Sequence, residues 1–447
     1  AEKQLSKKHA VSFAGFGAPI VRGRQGLAIQ EAYDLAGTNY YNPNWGYQDG
    51  EVRNARMTFD HKPLVMASHI FTPTDSVTLT TTVFYAFGRD GSTQLNWFDA
   101  QDPRPDYYRY LPSYNALQDP GLAAQQAVSW SSDPSVQQLN WDQFYFANDK
   151  NLYTVENANG SGTSVTGNRS KYIVEEQRAD PKRIGLNSVY RKNLLNNRNI
   201  TVGLNFNRQS THYFNVLDDL LGGDFWVDID QFADRDFDDP IISQNDLSTP
   251  NKVAKEGDVI GWDYNIVTRA TSLFGQYEKK WQKVEVYAAA HLAQTSFRRD
   301  GNVQNGRFPE TSEGKGESQD FLTGGIKAGA TYKITGRQFI VANAAYLNRP
   351  PSPRNSFLSA RTRPDVIPGL QSESVYTGDI GYVVRYARLK ARATFYYTKM
   401  MDQMWSRFYY NDEALTVVNY SMSGVDQINK GVEVGIEANL TSTIQMT

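Results

Sequence analysis

Apolar and polar residues alternate along much of the chain, and alternation is the side-chain period of a β-strand. Between Val77 and Phe87, Val77, Leu79, Val83, Tyr85 and Phe87 share one face, while Thr78, Thr80 and Thr82 take the other. Ile200, Val202, Leu204 and Phe206 oppose Thr201, Gly203, Asn205 and Asn207. Val284, Val286, Ala288, Ala290 and Leu292 oppose Glu285, Tyr287 and His291. Leu389, Ala391, Ala393, Phe395 and Tyr397 oppose Lys390, Arg392, Thr394, Tyr396 and Thr398. Val432, Val434, Ile436, Ala438 and Leu440 oppose Glu433, Gly435, Glu437 and Asn439. Tyr264 to Lys279 alternates less cleanly, because Tyr264 and Ile266 share a face while Val267 falls on the other.

These segments pair through very short turns at Thr72 to Ser76, Leu195 to Arg198, Lys280 to Gln282, Thr335 to Arg337, Tyr386 to Arg388 and Thr441 to Thr443. Long, polar, aromatic-rich stretches separate the pairs, at residues 19–55, 89–168, 213–262, 299–319, 348–373 and 403–428. Short turns at one end and long loops at the other mark an outer-membrane barrel. A soluble sandwich keeps most connections short. Slipping Leu389 to Thr398 by one residue would turn Lys390 and Arg392 toward lipid, at roughly 2–4 kcal/mol each near the midplane. The expected fold is therefore all-β. It is a transmembrane antiparallel β-barrel with an apolar outer wall and a polar lumen, of which about thirteen strands are present. The first lies near Lys8 to Phe16.

A single-chain barrel has an even strand number and closes on itself, because an open edge in lipid leaves backbone groups unpaired. The odd count, and the strand begun by Ile444 to Thr447, read as an internal piece of a longer protein. Ala1 to Leu5 carries no signal-peptide pattern.

Composition sharpens this. Lys plus Arg number 46 against 48 Asp plus Glu, so bulk charge gives no nucleic-acid footprint. Mean hydropathy is −0.56. With no uncharged apolar run of about eighteen residues, a helical membrane protein is excluded; an alternating barrel wall is not. The chain has no Cys, which excludes disulfides and Cys-ligated metals.

Candidate chemistry falls in the long loops. Trp45, Tyr47, Trp97, Tyr107, Tyr108 and Trp130, with Trp141, present aromatic faces that could stack on sugars or pack apolar peptide side chains. Equally, they could pack the loops against one another. Phe395, Tyr397, Trp405 and Phe408 to Tyr410 suit an interfacial girdle. Asp228, Asp230, Asp234, Asp236 and Asp238, followed by Asp239, crowd one loop. Such carboxylate density could hold Ca²⁺, but the glycine and terminal Glu of an EF-hand loop are missing, and a solvated acidic loop has the same residues.

Catalytic signatures are sparse. His9, His61, His69, His212 and His291 have no close metal-binding spacing. Gly160 to Thr163 lacks the Lys of a P-loop. No Gly-x-Ser-x-Gly elbow occurs, and nothing selects a carboxylate pair for glycoside hydrolysis. The chain reads as a non-enzyme.

Several motifs carry a family resemblance. Asn42-Pro43-Asn44-Trp45-Gly46-Tyr47-Gln48-Asp49-Gly50, then Arg53-Asn54-Ala55-Arg56, resembles TonB-dependent outer-membrane receptors. It is most similar to Bacteroidota-type members with a carboxypeptidase-like regulatory domain. Asn96-Trp97-Phe98-Asp99-Ala100 and Asp102 to Arg109 look like the same group, as do Arg349-Pro350-Pro351, Asn355-Ser356-Phe357 and Leu370 to Ser374. Asp379 to Tyr382, Asn429 to Glu433 and Gly435 to Glu437 are similar to its late barrel strands. The resemblance covers nearly the whole chain.

It implies a barrel of about 22 strands with a plugged lumen, in the cell outer membrane. Residues 1–447 would be part of that barrel, with the plug and last strands outside the sequence. It implies import of a large nutrient ligand, energised by a TonB-type partner acting on the plug. Other expected partners are a surface lipoprotein or further outer-membrane subunits, and outer-membrane lipid. An alternative role is a barrel subunit or docking platform in an outer-membrane complex. A second alternative, from the residues alone, is a soluble all-β glycan-binding protein or enzyme with apolar faces buried against a second sheet.

Overall fold

The computed structural model describes residues 1–413, 416–439, 443 and 445–446. Leu440, Thr441, Ser442, Ile444 and Thr447 of the expected last turn and strand lie outside the described residues.

One antiparallel sheet dominates. Its strands are β1 (Glu2–Ser6), β2 (His9–Phe16), β3 (Ile20–Gly23), β4 (Met57–His61), β5 (Leu64–Thr74), β6 (Val77–Phe87) and β7 (Arg89–Trp97). They continue as β8 (Tyr172–Leu194), β9 (Arg198–Asp219), β10 (Val259–Lys280), β11 (Val284–Gly301), β12 (Gln319–Lys333) and β13 (Gln338–Arg349). The last are β14 (Glu373–Arg385), β15 (Leu389–Asn411), β16 (Thr416–Asn439) and β17 (Gln445–Met446), and a two-residue strand, Gly314–Lys315, adds to the upper end of β11.

The sheet meanders. β1 pairs with β2, β2 with β5, β5 with β6 and β6 with β8. From β8 each strand pairs with the next, through to β17. β3, β4 and β7 prolong β2, β5 and β6, pairing β3–β4–β7–β8 above them. Counted this way, fourteen successive passes follow one another, including the short β1 and β17. That is close to the expected thirteen. Among the described residues no pairing joins β1 to β17.

Local chemistry places the breaks. Gly88, between β6 and β7, has φ +150°, and a Cβ there would stand 2.0 Å from the His61 carbonyl oxygen. Only glycine fits where two prolonged strands kink side by side. In the β8–β9 turn Asn196 and Asn197 take φ of +61° and +56°. Asparagine accepts this left-handed region more readily than other residues with a Cβ.

One expected loop is not a loop. Residues 403–428 continue β15 and β16, which pair as far as Asn411 and Thr416 with a bulge near Gln403. Trp405 and Phe408 to Tyr410 therefore lie high on a projecting hairpin, far above where a girdle at Phe395 and Tyr397 would sit. Their β-propensity outweighed the polar residues between them.

Register places the apolar residues on one face. Ile200, Tyr277, Ala288, Ala328, Ala344, Gly378 and Tyr397 form one continuous cross-strand row over seven strands. The face is exposed: Leu322 is 70% accessible, Val432 68% and Ile326 65%. The buried apolar clusters gather instead at the long-loop end. The soluble alternative expects a second sheet over this face; among the described residues none covers it. Strands such as β9 and β10, of 22 residues each, and β16, of 24, far exceed the about 9–11 residues that cross a bilayer. Their upper parts carry the loops.

Candidate ligand-binding site

The long connections build a layer over the upper mouth of the sheet. It holds α1 (Gln30–Ala36), α2 (Pro120–Ser132), α3 (Trp141–Asp149) and α4 (Gln231–Asp236). Asp119 caps α2 by accepting the Leu122 N–H at 2.9 Å, with Pro120 at the first helical position. Asn140 caps α3 and Asp230 caps α4.

Contacts between distant strands show that the sheet curls. The Tyr108 hydroxyl, on the β7–β8 connection, donates to Asp412 at the β15–β16 tip over 3.2 Å. Strands β8 to β14 lie between them in the sheet. Arg361, between β13 and β14, donates to the Gln177 amide oxygen of β8 at 3.4 Å. Asn419 on β16 donates to the Leu358 carbonyl. A flat sheet would hold the first two pairs tens of ångströms apart, at roughly 4.8 Å per strand.

The aromatic candidates divide by burial. Trp130 is 4% exposed and packs with Ala32, Tyr41 and Leu111 beneath α1 and α2. It meets Tyr41 edge to face, and burial pushes the Tyr41 hydroxyl pKa up. Trp130 is thus core, bordering with Tyr110 and Gln126 a small cavity of about 290 Å³. Trp141 is fully buried, with the Arg53 guanidinium 4.2 Å above its ring. Trp97 is half-buried under Arg104, which Asp102 holds by hydrogen bonds.

Trp45 and Tyr47 sit on a small hairpin, edge to face at 5.6 Å, and Tyr47 is 54% exposed. Tyr107 and Tyr108 join Tyr110 and Tyr114 in a chain of edge-to-face contacts between 4.9 and 5.5 Å. Arg109 donates to the Tyr108 hydroxyl at 2.9 Å. The structure therefore brings Tyr107 and Tyr108 together, and leaves the Trp45 hairpin and Trp97 apart from them.

A second cluster was missed in the sequence. On the polar face at the mouth, Tyr213 and Tyr264 stack at 5.1 Å, and the Arg361 guanidinium lies 3.8 Å over the Trp262 ring. Beside them the buried Glu175 carboxylate accepts from the amides of Gln94, Asn96, Gln177 and Asn215. Four neutral donors thus spread its charge, with the Arg361 guanidinium as the nearby cation. The irregular phase at Tyr264 and Ile266 was the available signal: these apolar residues face inward, under Phe357 and Phe297. Aromatic faces with guanidinium donors suit planar, anionic or sugar-like groups.

The acidic loop does not converge. Asp228 is buried, held by Asn245 at 2.7 Å and the Gly261 N–H at 2.9 Å, and burial raises its pKa. Asp230 caps α4, Asp234 lies within it, Asp236 pairs with Arg235, and Asp238 is exposed beyond. Among the described residues no three His, Asp or Glu groups gather to hold a metal. A cavity of about 990 Å³ lies elsewhere, as a trough on the apolar face over Ala288, Ala328 and Ala344. Its lining has no cluster of polar groups to orient a ligand.

No family model matches the sequence, and no curated protein matches it. Solved structures do match the fold. The ferric citrate transporter FecA, unliganded, aligns with a TM-score of 0.55 at 9% identity, over 98% of this chain and 46% of that one. The ferric-catecholate import receptor Fiu from E. coli K12 gives 0.53 at 12%, over 98% and 54%. FpvAI in complex with pyocin S2 gives 0.53 at 10%, over 98% and 47%. The chain spans about half the length of these proteins. At such identities the likeness is one of fold: a large antiparallel β architecture.

Proposed function

We propose that the chain forms part of the barrel wall and ligand-facing loops of an outer-membrane TonB-dependent transporter. The carrying observation is the exposed apolar face, continuous over the strands, beneath a layer of ordered long loops. A face this apolar and this extended needs lipid against it. Two supports are independent of it. The sequence motifs resemble TonB-dependent receptors, and the fold matches solved structures of that group.

The ligand would enter over Tyr47, Tyr107 and Tyr108 and meet Tyr213, Trp262 and Arg361 inside the mouth, with the buried Tyr264 supporting them from below. We read it as a nutrient too large for passive pores, bearing aromatic, sugar-like or anionic groups. Barrel closure with about 22 strands, a plug, and a TonB-type energising partner belong to the whole protein under this reading. The Bacteroidota-type assignment and a surface lipoprotein partner rest on the motifs alone.

The test is growth of a deletion strain on candidate ligands, complemented by wild type or by a Trp262→Ala/Arg361→Ala variant. Wild type restores ligand-dependent growth and the variant loses most of it, with equal amounts of both in the outer membrane. Growth that stays the same after loss of the energising protein would favour the docking-platform role instead.

A further inference from the structure

The apolar face carries a small group of cations where its apolar band ends. Register places Arg208 of β9 directly opposite Arg269 of β10. Arg208 has the parity of Val202, Leu204 and Phe206, and Arg269 that of Leu273 and Tyr277, so both project from the apolar face. Arg208 also lies opposite Ile184 of β8, and Lys182 follows two residues above on that strand, opposite Ser210. All three side chains are exposed.

Their neighbours on this face find partners. Arg178 pairs with Asp180 at 2.5 Å and Arg298 with Asp300 at 2.7 Å. Among the described residues, Lys182, Arg208 and Arg269 make no hydrogen bond or ion pair. Like charges directly opposite on adjacent strands repel, with Cβ atoms about 5 Å apart. An arrangement of this kind is stabilised when an anion lies between the guanidinium groups.

The level of the cluster indicates which anion. Arg208 stands ten residues above Arg198, where β9 leaves its short turn. Ten residues rise about 33 Å along a strand. With a tilt of about 40° that is about 25 Å of height, the thickness of a barrel's apolar band. Leu186 and Phe206, then Val83 and Leu204, lie just below, and the stacked Tyr85 and Phe87 lie alongside. The cations thus crown an apolar surface at headgroup depth, on the long-loop side. A free anion would use the charges and ignore the apolar surface; a lipid uses both.

We propose that Lys182, Arg208 and Arg269 hold the phosphate of a lipid headgroup whose acyl chains lie on Leu186, Leu204 and Phe206. The proposal rests on the membrane-spanning reading above.

The test is native mass spectrometry of the full-length detergent-purified protein. It is offered phosphatidic acid and phosphatidylcholine in equal amounts, with inorganic phosphate as a competitor. Wild type retains phosphatidic acid preferentially, and inorganic phosphate does not displace it. Arg208→Gln/Arg269→Gln lowers the retained phosphatidic acid at least fivefold. Arg183→Gln/Lys327→Gln, which removes the same charge from the polar face, leaves retention unchanged. Retention by the first variant equal to wild type overturns the site, as does equal retention of both lipids by wild type. Displacement by inorganic phosphate overturns the lipid as occupant. Heat-modifiable migration is read on the same samples. Its loss in wild type would sink the membrane reading itself, whereas its persistence with no lipid preference sinks only this site.

Discussion

Replacing Leu292 by Arg puts the proposed solvent of the apolar face to a quantitative test. Leu292 is 56% exposed in the isolated chain and lies opposite Leu273 of β10 and Gly324 of β12. If water meets this face, the substitution is an ordinary exposed one and costs within about 0.5 kcal/mol. If lipid meets it, an arginine between the midplane and the upper edge of the apolar band costs roughly 1–3 kcal/mol. That is roughly a five- to 150-fold loss in the folding equilibrium. The adjacent His291 is exposed on the polar face, so His291→Arg provides a control one residue away on the same strand. Its cost should stay within about 0.5 kcal/mol. The assay is urea titration of the full-length protein folded into phosphatidylcholine vesicles, with the folded fraction read from heat-modifiable migration. Equal midpoints for the two variants would refute the reasoning, because the faces would then share one solvent.

Further outcomes follow from the loop layer. Trp130→Ala removes a buried ring from the α1–α2 core and should cost about 3–5 kcal/mol; faster proteolysis within residues 98–171 would report it, while Tyr108→Ala should leave that rate nearly unchanged. Burial holds the Asp228 pKa above its ordinary 3.8, so the fold favours the protonated form. Its contribution is therefore fully present below the ordinary value and is lost as pH rises through the raised one. Proteolysis within residues 220–258 should slow on acidification across that window, and Asp228→Asn should flatten the dependence; slowing as pH rises would contradict the sign. Because the acidic loop brings no three carboxylates together, calorimetric titration with Ca²⁺ should show no saturable binding lost in Asp230→Asn/Asp236→Asn.

Much of the wall was legible from alternation because a two-residue period is a local property. The faces of β6, β9, β11 and β15 each follow from a few neighbouring residues, and their short turns from Asn, Gly and polar positions between them. The upper parts were harder to read. Residues 403–428 mix aromatic and polar residues, and pairing with a partner strand decided between loop and hairpin. Trp130 and Tyr108 are both loop aromatics in sequence, and only packing separates a core ring from an exposed one. Tyr213, Trp262, Tyr264 and Arg361 come from three segments: pairing of β9 with β10 joins the first three, and the β13–β14 connection brings Arg361 onto Trp262. Their one local trace was the phase break at Tyr264, where inward apolar residues mark a surface packed by a loop.

Under the proposed function lipid meets one face of this sheet and water the other. The chain has no Cys, so single cysteines from Val284 to Ala293 can be spin-labelled one at a time without removing any native thiol. Collision rates with oxygen and with a water-soluble nickel complex, measured in vesicles, then read the solvent at each position. Oxygen maxima should fall at Val284, Val286, Ala288, Ala290 and Leu292. Nickel maxima should fall at Glu285, Tyr287, Ala289, His291 and Ala293, in strict opposition. Nickel access that is uniform along the strand, or oxygen maxima on the polar face, would contradict that reading.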